Sequence, residues 1–216
     1  MIKLFKGDIM MIKNILFDFD GVIIDSMPIK SEGFRKIFEE HDSEAVKLLL
    51  DFHNLNGGLS RYVKIKYFFE DVLGIPIEEK DILRYAEQFS EIVKEELNNP
   101  EHLIAEVVQF IRDNQENFNF HIVSGADEQE LKYLCEQLNI AHYFKSIHGS
   151  PTHKNDLVKQ VIKENGYLKT ETILIGDSIN DLEAAEINEI GFYAYNNADL
   201  KPLSANYIET MADFVL

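Results

Sequence analysis

Three short apolar runs, each ending abruptly in polar or small residues, constrain the fold of this chain more than any other feature. They cover residues 15–17, 120–123 and 172–175. The residues that directly follow them are Asp18, Ser124 and Gly176, in that order. A run of this kind is typical of a strand that is buried on both faces of a parallel sheet and presents polar residues at its carboxyl end. Helical patterns follow the runs, and weaker strand signals occur at residues 143–148 and 191–195. Because strands alternate with helices, we expect an α/β fold with a doubly wound parallel sheet covered by helices on both faces.

The segment between the first and second runs has a different pattern. Its apolar residues recur at helical spacing and no strand signal interrupts them, which predicts an inserted all-helical domain. We therefore expect a core domain of residues 1–27 plus 98–216 and a helical cap domain of residues 28–97. Turn-forming residues separate the helices of the insert and mark the return to the sheet, at residues 56–58, 74–76 and 98–100.

Composition limits the partners of such a fold. The 216 residues carry a formal net charge of −17, so the long-range field repels nucleic acids and anionic membrane surfaces. We expect neither a nucleic-acid nor a membrane partner. The same field repels a phosphorylated substrate, and a site for such a substrate must therefore supply local positive charge.

Cys135 is the single cysteine, so no intrachain disulfide and no cysteine-based zinc site can form, and a cytoplasmic location is expected. Cys135 falls within a helical pattern, which favours a packed helix residue over a nucleophile. Residues 1–11 are too short to span a membrane and lack a small-residue cleavage site. Met1, Met10 and Met11 are alternative start residues, and the first strand is expected to follow directly.

The polar residues that follow the strands are expected to meet in one crevice, because ligands bind beyond the carboxyl ends of parallel strands. This crevice would hold the side chains of Asp18, Asp20, Ser124, Asp177 and Asp181. Four converging carboxylates repel one another unless a divalent cation neutralises them, and hard oxygen ligands suit Mg²⁺. The sequence therefore predicts a magnesium site with open positions for a phosphate oxygen and for water.

The same crevice is expected to bind a phosphoryl group. Ser124 and Gly125 precede a predicted helix whose free N–H groups and dipole favour an anion, and Lys154 adds a point charge. Because side chains alternate along a strand, Asp18 and Asp20 emerge on the same side. One of them can attack phosphorus while the other protonates the leaving oxygen and later activates water.

Ordinary structural roles are also open for some of these residues. Ser124 fits a helix N-cap, and Asp181 fits a dipole partner in the first turn of its helix. Lys154 also fits a solvated face, with Lys145 as a nearby competitor for the phosphate.

A small basic cluster follows a glycine pair in the helical insert, at residues 57–61 with Lys64 and Lys66. It fits a flexible loop that leads into a helix capped by Ser60 and carrying solvated lysines. It fits equally well a loop that reads the substrate, and in that case Arg61 is the residue to test first.

Four segments of the chain, in order, resemble the motifs of the haloacid dehalogenase (HAD) superfamily. They are Asp18-Phe19-Asp20-Gly21-Val22, Ser124-Gly125, Lys154 and Gly176-Asp177-Ser178-Ile179-Asn180-Asp181. Each segment alone is common by chance, whereas the four together span most of the chain in the order of the family. The resemblance implies a Rossmann-like core with Asp18 as the nucleophile and Asp20 as the general acid/base.

The resemblance further implies the ligands of the metal and of the phosphoryl group. Mg²⁺ would be bound by the carboxylates of Asp18 and Asp177 and by the backbone carbonyl of Asp20, with Asp181 supporting the metal shell. The residues that hold the phosphoryl group would be Ser124, Gly125 and Lys154.

The helical insert resembles the small cap of the phosphoglycolate phosphatase and β-phosphoglucomutase branch of this family. Dehalogenase members lack the second aspartate of the first motif, so Asp20 argues for phosphoryl transfer. A Gly-x-Ser-Arg segment similar to residues 58–61 contacts substrate in capped members, which favours Arg61 as a substrate-binding residue. We therefore expect a Mg²⁺-dependent phosphatase that hydrolyses a small phosphorylated metabolite through an aspartyl phosphate on Asp18.

Two other functions stay open. A phosphomutase would use the same aspartyl phosphate, but mutases resembling β-phosphoglucomutase carry a histidine in the stretch where this chain has Met27-Pro28-Ile29-Lys30. The other is a regulatory or binding protein without activity, although every motif residue that the chemistry needs is present.

Overall fold

The computed structural model describes residues 11–214, so the alternative start residues Met1 and Met10 and the outermost residues of the expected core domain lie outside the described range. The described strands are β1 (Asn14–Phe17), β2 (Asn119–Asp127), β3 (Ser146–Ser150), β4 (Thr172–Gly176), β5 (Gly191–Tyr195) and β6 (Tyr207–Ile208). They form one sheet in the order β3-β2-β1-β4-β5-β6, and every pair is parallel. The parallel sheet expected from the sequence is confirmed.

Helices follow the strands and also fill the segment after β1. The described α-helices are α1 (Met27–Ile37), α2 (Ser43–Leu55), α3 (Arg61–Tyr67), α4 (Glu79–Leu97), α5 (Ala105–Asn114), α6 (Glu128–Gln137), α7 (Lys154–Asn165) and α8 (Ile179–Asn188). A wider helical turn, Phe68–Val72, continues α3.

Strand β1 lies between β2 and β4 and is buried along its whole length, which explains its continuous apolar run. Ile15 and Phe17 pack into the layer that contains α5 and α6, whereas Leu16 packs into the layer that contains α7 and α8. Successive side chains of a strand point to opposite faces, so this one strand contributes to both halves of the core. Burial of a side chain of this size contributes about 1.5–3 kcal/mol relative to exposure.

Helices α1 to α4 contribute an aromatic cluster to the larger hydrophobic core. The rings of Phe34 and Phe89 lie 4.4 Å apart between centroids, and those of Phe38 and Phe68 lie 4.3 Å apart. All four side chains are buried. This aromatic cluster joins α1, α4 and the end of α3 into one unit.

The helices predicted for the insert are confirmed. The breaks at residues 56–58 and 74–76 fall between α2 and α3 and before α4. The partition into a core domain of residues 1–27 plus 98–216 and a cap domain of residues 28–97 stays a prediction. Within residues 11–214, no helix combines the length and the apolar character that a membrane crossing requires.

The expected helix start at Ser124 is wrong. Strand β2 continues to Asp127, with an irregular register in its last part, and α6 begins at Glu128. Asp127 is the N-cap of α6, because its carboxylate accepts hydrogen bonds from the backbone N–H groups of Gln129 and Glu130, each at 3.1 Å.

The weaker strand signals had mixed outcomes. The strand predicted at residues 191–195 is confirmed as β5. The one predicted at 143–148 begins later, as β3, because Ala141–Tyr143 forms a helical turn. Strand β6 was not predicted, since two residues are too short to show an alternating pattern.

Candidate functional site

The carboxyl ends of the central strands meet at one edge of the sheet. Phe17, the last residue of β1, pairs with Ile122 of β2 and with Ile175 of β4. Because Phe17 and Ile175 are paired directly across the two strands, Asp18 and Asp177 lie at neighbouring positions just beyond the strand ends. The carboxyl ends of these strands therefore converge at this edge, as expected from the sequence.

Three carboxylates form a compact cluster there. Oxygen atoms of Asp18, Asp177 and Asp181 all lie within 4.8 Å of one another. Gly21, with a φ of 73°, makes room for this arrangement, because a Cβ at that position would lie 1.9 Å from Oδ2 of Asp177. The turn within the first motif therefore requires glycine at position 21, for its backbone angle and for its contact with the acidic cluster.

Lys154, the first residue of α7, is buried beside this acidic cluster. Its Nζ lies 3.0 Å from Oδ1 of Asp18 and also forms an ion pair with Asp181. Burial opposes the charged form of this lysine, but the two carboxylates outweigh burial and raise its pKa. Lys145, the competitor considered from the sequence, is exposed.

One lysine does not balance three carboxylates. Burial and the neighbouring charge of Asp181 raise the pKa of Asp18 to about 7, although Lys154 acts in the opposite direction. Burial and the charges of Asp18 and Asp181 also raise the pKa of Asp177 well above its ordinary value. The donor set consists of hard oxygens with excess negative charge, and this chemistry fits a divalent cation such as Mg²⁺.

Asp181 combines the two roles that the sequence left open. Its Oδ2 accepts hydrogen bonds from the backbone N–H of Ser178 at 3.0 Å and from the Ser178 hydroxyl at 2.6 Å. This reciprocal capping stabilises the start of α8. Its Oδ1 is paired with Lys154, so the residue that caps the helix also belongs to the acidic cluster.

The side chain of Asp20 is directed away from this cluster and towards α1. Its Oδ1 accepts a hydrogen bond from the Ser26 hydroxyl, and its Oδ2 accepts one from Nζ of Lys30, both at 2.5 Å. Burial alone would raise the pKa of Asp20, but the charge of Lys30 and these hydrogen bonds outweigh burial and lower it. The two aspartates of the first motif therefore have different electrostatic surroundings.

Ser26 and Lys30 were not identified as partners of Asp20 from the sequence. They lie four residues apart at the start of α1, and the backbone N–H of Lys30 donates to the carbonyl of Ser26. Side chains at this spacing share one face of a helix. A serine and a lysine on one face of a helix that closely follows an acidic motif would have indicated Ser26 and Lys30 as partners of Asp20.

Ser124 and Gly125 lie at the same edge, within β2. The Ser124 hydroxyl accepts a hydrogen bond from the backbone N–H of Ala126 at 3.1 Å. A Cβ on Gly125 would lie 2.1 Å from the carbonyl oxygen of Gly58, so the loop of the insert touches this strand directly. The N-cap role considered for Ser124 is wrong, since Asp127 caps α6.

Arg61 joins the insert to α6. Its guanidinium forms a two-pronged ion pair with Glu130, with Nη2 to Oε1 at 2.5 Å and Nη1 to Oε2 at 2.8 Å, and it also donates to the Ser90 hydroxyl. It lies over the Phe89 ring, 4.8 Å from the centroid. The side chains of Arg61 and Glu130 are only 3% and 1% exposed. Substrate contact by Arg61 stays a prediction.

The loop before Arg61 is partly as expected. Ser60 is the N-cap of α3, with its hydroxyl accepting from the backbone N–H of Val63 at 3.4 Å. The expectation of solvated lysines holds for Lys66, which is exposed, and is wrong for Lys64, which is buried. The side chain of Lys64 lies where α2 and α3 pack, and its Nζ contacts Nδ1 of His53 and donates to the carbonyl of Gly57.

Cys135 is buried in α6, as the sequence predicted for a packed helix residue. Burial raises the pKa of its thiol to about 12. At neutral pH the thiolate that would act as a nucleophile is therefore scarce.

Comparisons with known proteins identify a family and relatives that cover most of the chain. The chain matches the family model described as haloacid dehalogenase-like hydrolase over residues 15–195. Relatives include the phosphoglycolate phosphatase of Photobacterium profundum, which is 27% identical over 98% of this chain and 94% of that protein. The phosphoglycolate phosphatase of Aliivibrio fischeri is 22% identical over 94% of this chain and 92% of that protein.

A solved structure, β-phosphoglucomutase from Clostridium difficile, has the same fold. The TM-score is 0.77 at 14% identity, over 95% of this chain and 94% of that chain. At this identity the likeness concerns the arrangement of helices and strands, and it does not extend to the reaction.

Proposed function

We propose that this chain, which belongs to the haloacid dehalogenase-like hydrolase family and is an enzyme of the phosphatase type, hydrolyses a small phosphorylated metabolite. The reaction proceeds through an aspartyl phosphate on Asp18, with Mg²⁺ as cofactor. The named relatives make 2-phosphoglycolate the first substrate to assay.

The observation that carries this proposal is the separate anchoring of two aspartates in one motif. Oδ1 of Asp18 is held by Lys154 at 3.0 Å and by the backbone N–H of Phe19 at 2.7 Å. Oδ2 of Asp18 has no hydrogen-bond partner within residues 11–214, which leaves it available to attack. Asp20 is held by Lys30, outside the acidic cluster, where it can exchange protons with the leaving group.

The chemistry follows in two steps. In the first, Oδ2 of Asp18 attacks phosphorus, the bond from phosphorus to the ester oxygen breaks, and the leaving oxygen takes a proton from Asp20. In the second, Asp20 takes a proton from a water molecule as that water attacks phosphorus, the bond to Asp18 breaks, and inorganic phosphate leaves. Lys154, Ser124 and Gly125 hold the phosphoryl oxygens throughout.

The acidic cluster supports the choice of cofactor. Mg²⁺ would be held by the carboxylates of Asp18 and Asp177 and by the backbone carbonyl of Asp20, with Asp181 supporting the shell. When bound, it neutralises charge on the phosphoryl oxygens and on the cluster.

The first experiment replaces the proposed nucleophile. We expect Asp18→Asn to abolish phosphate release and the trapping of a phosphorylated enzyme, because an amide oxygen does not form the aspartyl phosphate. Asp25→Asn is the matched control, since Asp25 lies in the same loop and is exposed. Retained turnover in Asp18→Asn would remove Asp18 from its role.

The second experiment tests the cofactor and the reaction class. Wild-type protein is assayed with an aryl phosphate and a panel of small phosphorylated metabolites, after chelation and after addition of Mg²⁺. We expect phosphate release that chelation abolishes and Mg²⁺ restores. Failure to release phosphate from any compound in the presence of Mg²⁺ would contradict the proposal and favour the inactive binding protein.

The phosphomutase alternative is tested separately. Hexose 1-phosphate is supplied with a bisphosphate primer, and formation of the 6-phosphate is measured. We expect hydrolysis without isomerisation, because the stretch that holds a histidine in mutases contributes Lys30 here, and Lys30 is paired with Asp20.

A further inference from the structure

A small cavity lies between the helical insert and Asp20. Its volume is about 20 Å³, which is room for about one water molecule. Asp20 and Gly125 line it from the core, and the rings of Phe34 and Phe89 line it from the insert. On the proposed function, a substrate whose phosphoryl group lies at Asp18 would extend its leaving group into this cavity. A short carbon chain requires far less displacement of the insert than a hexose does.

Three cationic side chains line the cavity, and they differ in their partners. Lys30 is paired with Asp20, and Arg61 is paired with Glu130. Lys64 is 3% exposed, and within residues 11–214 it has no carboxylate partner. A buried cation without a counter-ion is costly to keep, so this position calls for a functional explanation.

Among the described residues, the ammonium of Lys64 contacts only neutral acceptors. It lies 2.9 Å from Nδ1 of His53 and donates to the carbonyl of Gly57 at 3.2 Å. In its charged form Lys64 has no lone pair, so His53 then accepts at Nδ1 and carries its own proton on Nε2. Nε2 of His53 is buried and has no hydrogen-bond partner in the described part of the chain. The cavity wall therefore includes an unmatched ammonium and the ring of a histidine with an unmatched N–H.

The acid–base properties agree with this picture. Burial, reinforced by the charge of Lys64, lowers the pKa of His53 to about 2, so its ring is neutral. Burial, reinforced by the charge of Lys30, lowers the pKa of Lys64 to about 7. An anion placed beside Lys64 would stabilise its charged form.

We infer that Lys64, oriented by His53, binds the carboxylate of a short phosphorylated carboxylic acid, an assignment that rests on the proposed phosphatase function. The carboxylate supplies the counter-ion that Lys64 lacks. The N–H on Nε2 of His53 is a donor for a further oxygen of the leaving group. The apolar rings of Phe34 and Phe89 enclose the carbon chain between the two anionic ends.

The experiment compares substrates of matched length. One pair is 2-phosphoglycolate and ethyl phosphate, and the other is 3-phosphoglycerate and glycerol 3-phosphate, so that each pair differs in its carboxylate. We expect wild-type kcat/KM to favour the acid in at least one pair, and Lys64→Met to lower kcat/KM for that acid about 10- to 100-fold, the effect of a hydrogen bond between charged groups. For the member of the pair that lacks a carboxylate we expect a change within about twofold.

Controls separate recognition from folding. The ratio of kcat/KM values within a pair is measured on one protein sample, so it does not depend on the fraction that is folded. Lys66→Met is the matched control, because Lys66 lies on the same helix and is exposed, and it should leave the ratio unchanged. Lys64→Arg, which keeps the charge, should retain part of the preference for the acid.

The outcomes distinguish this inference from the proposed function. Hydrolysis of the carboxylic acids and of the esters without a carboxylate at equal kcat/KM, or a preference that survives in Lys64→Met, overturns the role of Lys64 and leaves the phosphatase intact. Absence of hydrolysis of these four esters and of an aryl phosphate in the presence of Mg²⁺ overturns the proposed function and this inference together.

Discussion

The ion pair between Arg61 and Glu130 yields a sharp prediction about stability. The two side chains are 3% and 1% exposed and are joined by two hydrogen bonds, at 2.5 Å and 2.8 Å. Removing one partner of a buried pair leaves the other charge uncompensated, at a cost of about 3–5 kcal/mol. We expect Arg61→Met and Glu130→Leu each to lower the free energy of unfolding by about this amount, measured by urea denaturation. For a chain of this size, that corresponds to a fall in Tm of about 6–20 °C.

The double variant distinguishes a buried charge from lost packing. In Arg61→Met/Glu130→Leu neither charge remains, and an apolar replacement of similar volume is often close to neutral. We therefore expect the double variant to recover most of the stability that either single variant loses. Lys132→Met is the control, because Lys132 lies on the same helix in an exposed pair with Glu128, and such pairs contribute about 0.2–1 kcal/mol. A double variant as unstable as the sum of the single variants would refute the reasoning.

Three further predictions concern other parts of the molecule. Gly125→Ala places a methyl group against the carbonyl of Gly58, so the insert must shift. We expect kcat/KM to fall about 100-fold while circular dichroism shows an intact fold. An unchanged kcat/KM would contradict the contact between Gly125 and Gly58. Burial lowers the pKa of His121 from 6.5 to about 4. Since the unfolded chain binds the extra proton, stability is fully present above pH 6.5 and falls by up to about 3 kcal/mol as the pH drops to about 4. His121→Gln should flatten the dependence of unfolding free energy on pH in that window, and an unaltered slope would show that His121 is not its source. In the native protein at mildly alkaline pH, the thiol of Cys135 should resist a thiol reagent, and it should react fully after unfolding in guanidinium. Rapid reaction of this thiol in the native protein would show that α6 exposes it.

The part of the site that sequence could predict is the part set by local pattern. Asp18 and Asp177 follow apolar strands, and parallel strands of one sheet end at the same edge, so their proximity follows from position alone. The helical insert was predictable for a similar reason, since its apolar residues repeat at helical spacing over many turns.

The contacts that cross the fold were not predictable in this way. Arg61 and Glu130 are 69 residues apart in the chain, and no spacing rule links them. The burial of Lys64 depends on how α2 and α3 pack, whereas its sequence neighbours suggested an exposed basic cluster. Ser124 shows a local error, because serine and glycine after a strand favour a helix start, yet Asp127 accepts two backbone N–H groups and caps the helix instead.

The anchoring of Asp20 has a consequence for the timing of catalysis. Asp20 belongs to the sheet edge, but Lys30, which determines much of its charge environment, belongs to the first helix of the insert. Helix α1 packs against α4 through Phe34 and Phe89, so displacement of the insert carries Lys30 along with it. Proton transfer at the sheet edge is thereby tied to the position of a distant helical layer. Lys30 lowers the pKa of Asp20 while the two side chains are paired, so a displacement of the insert that draws Lys30 away raises this pKa and favours the protonated form that can donate to the leaving group.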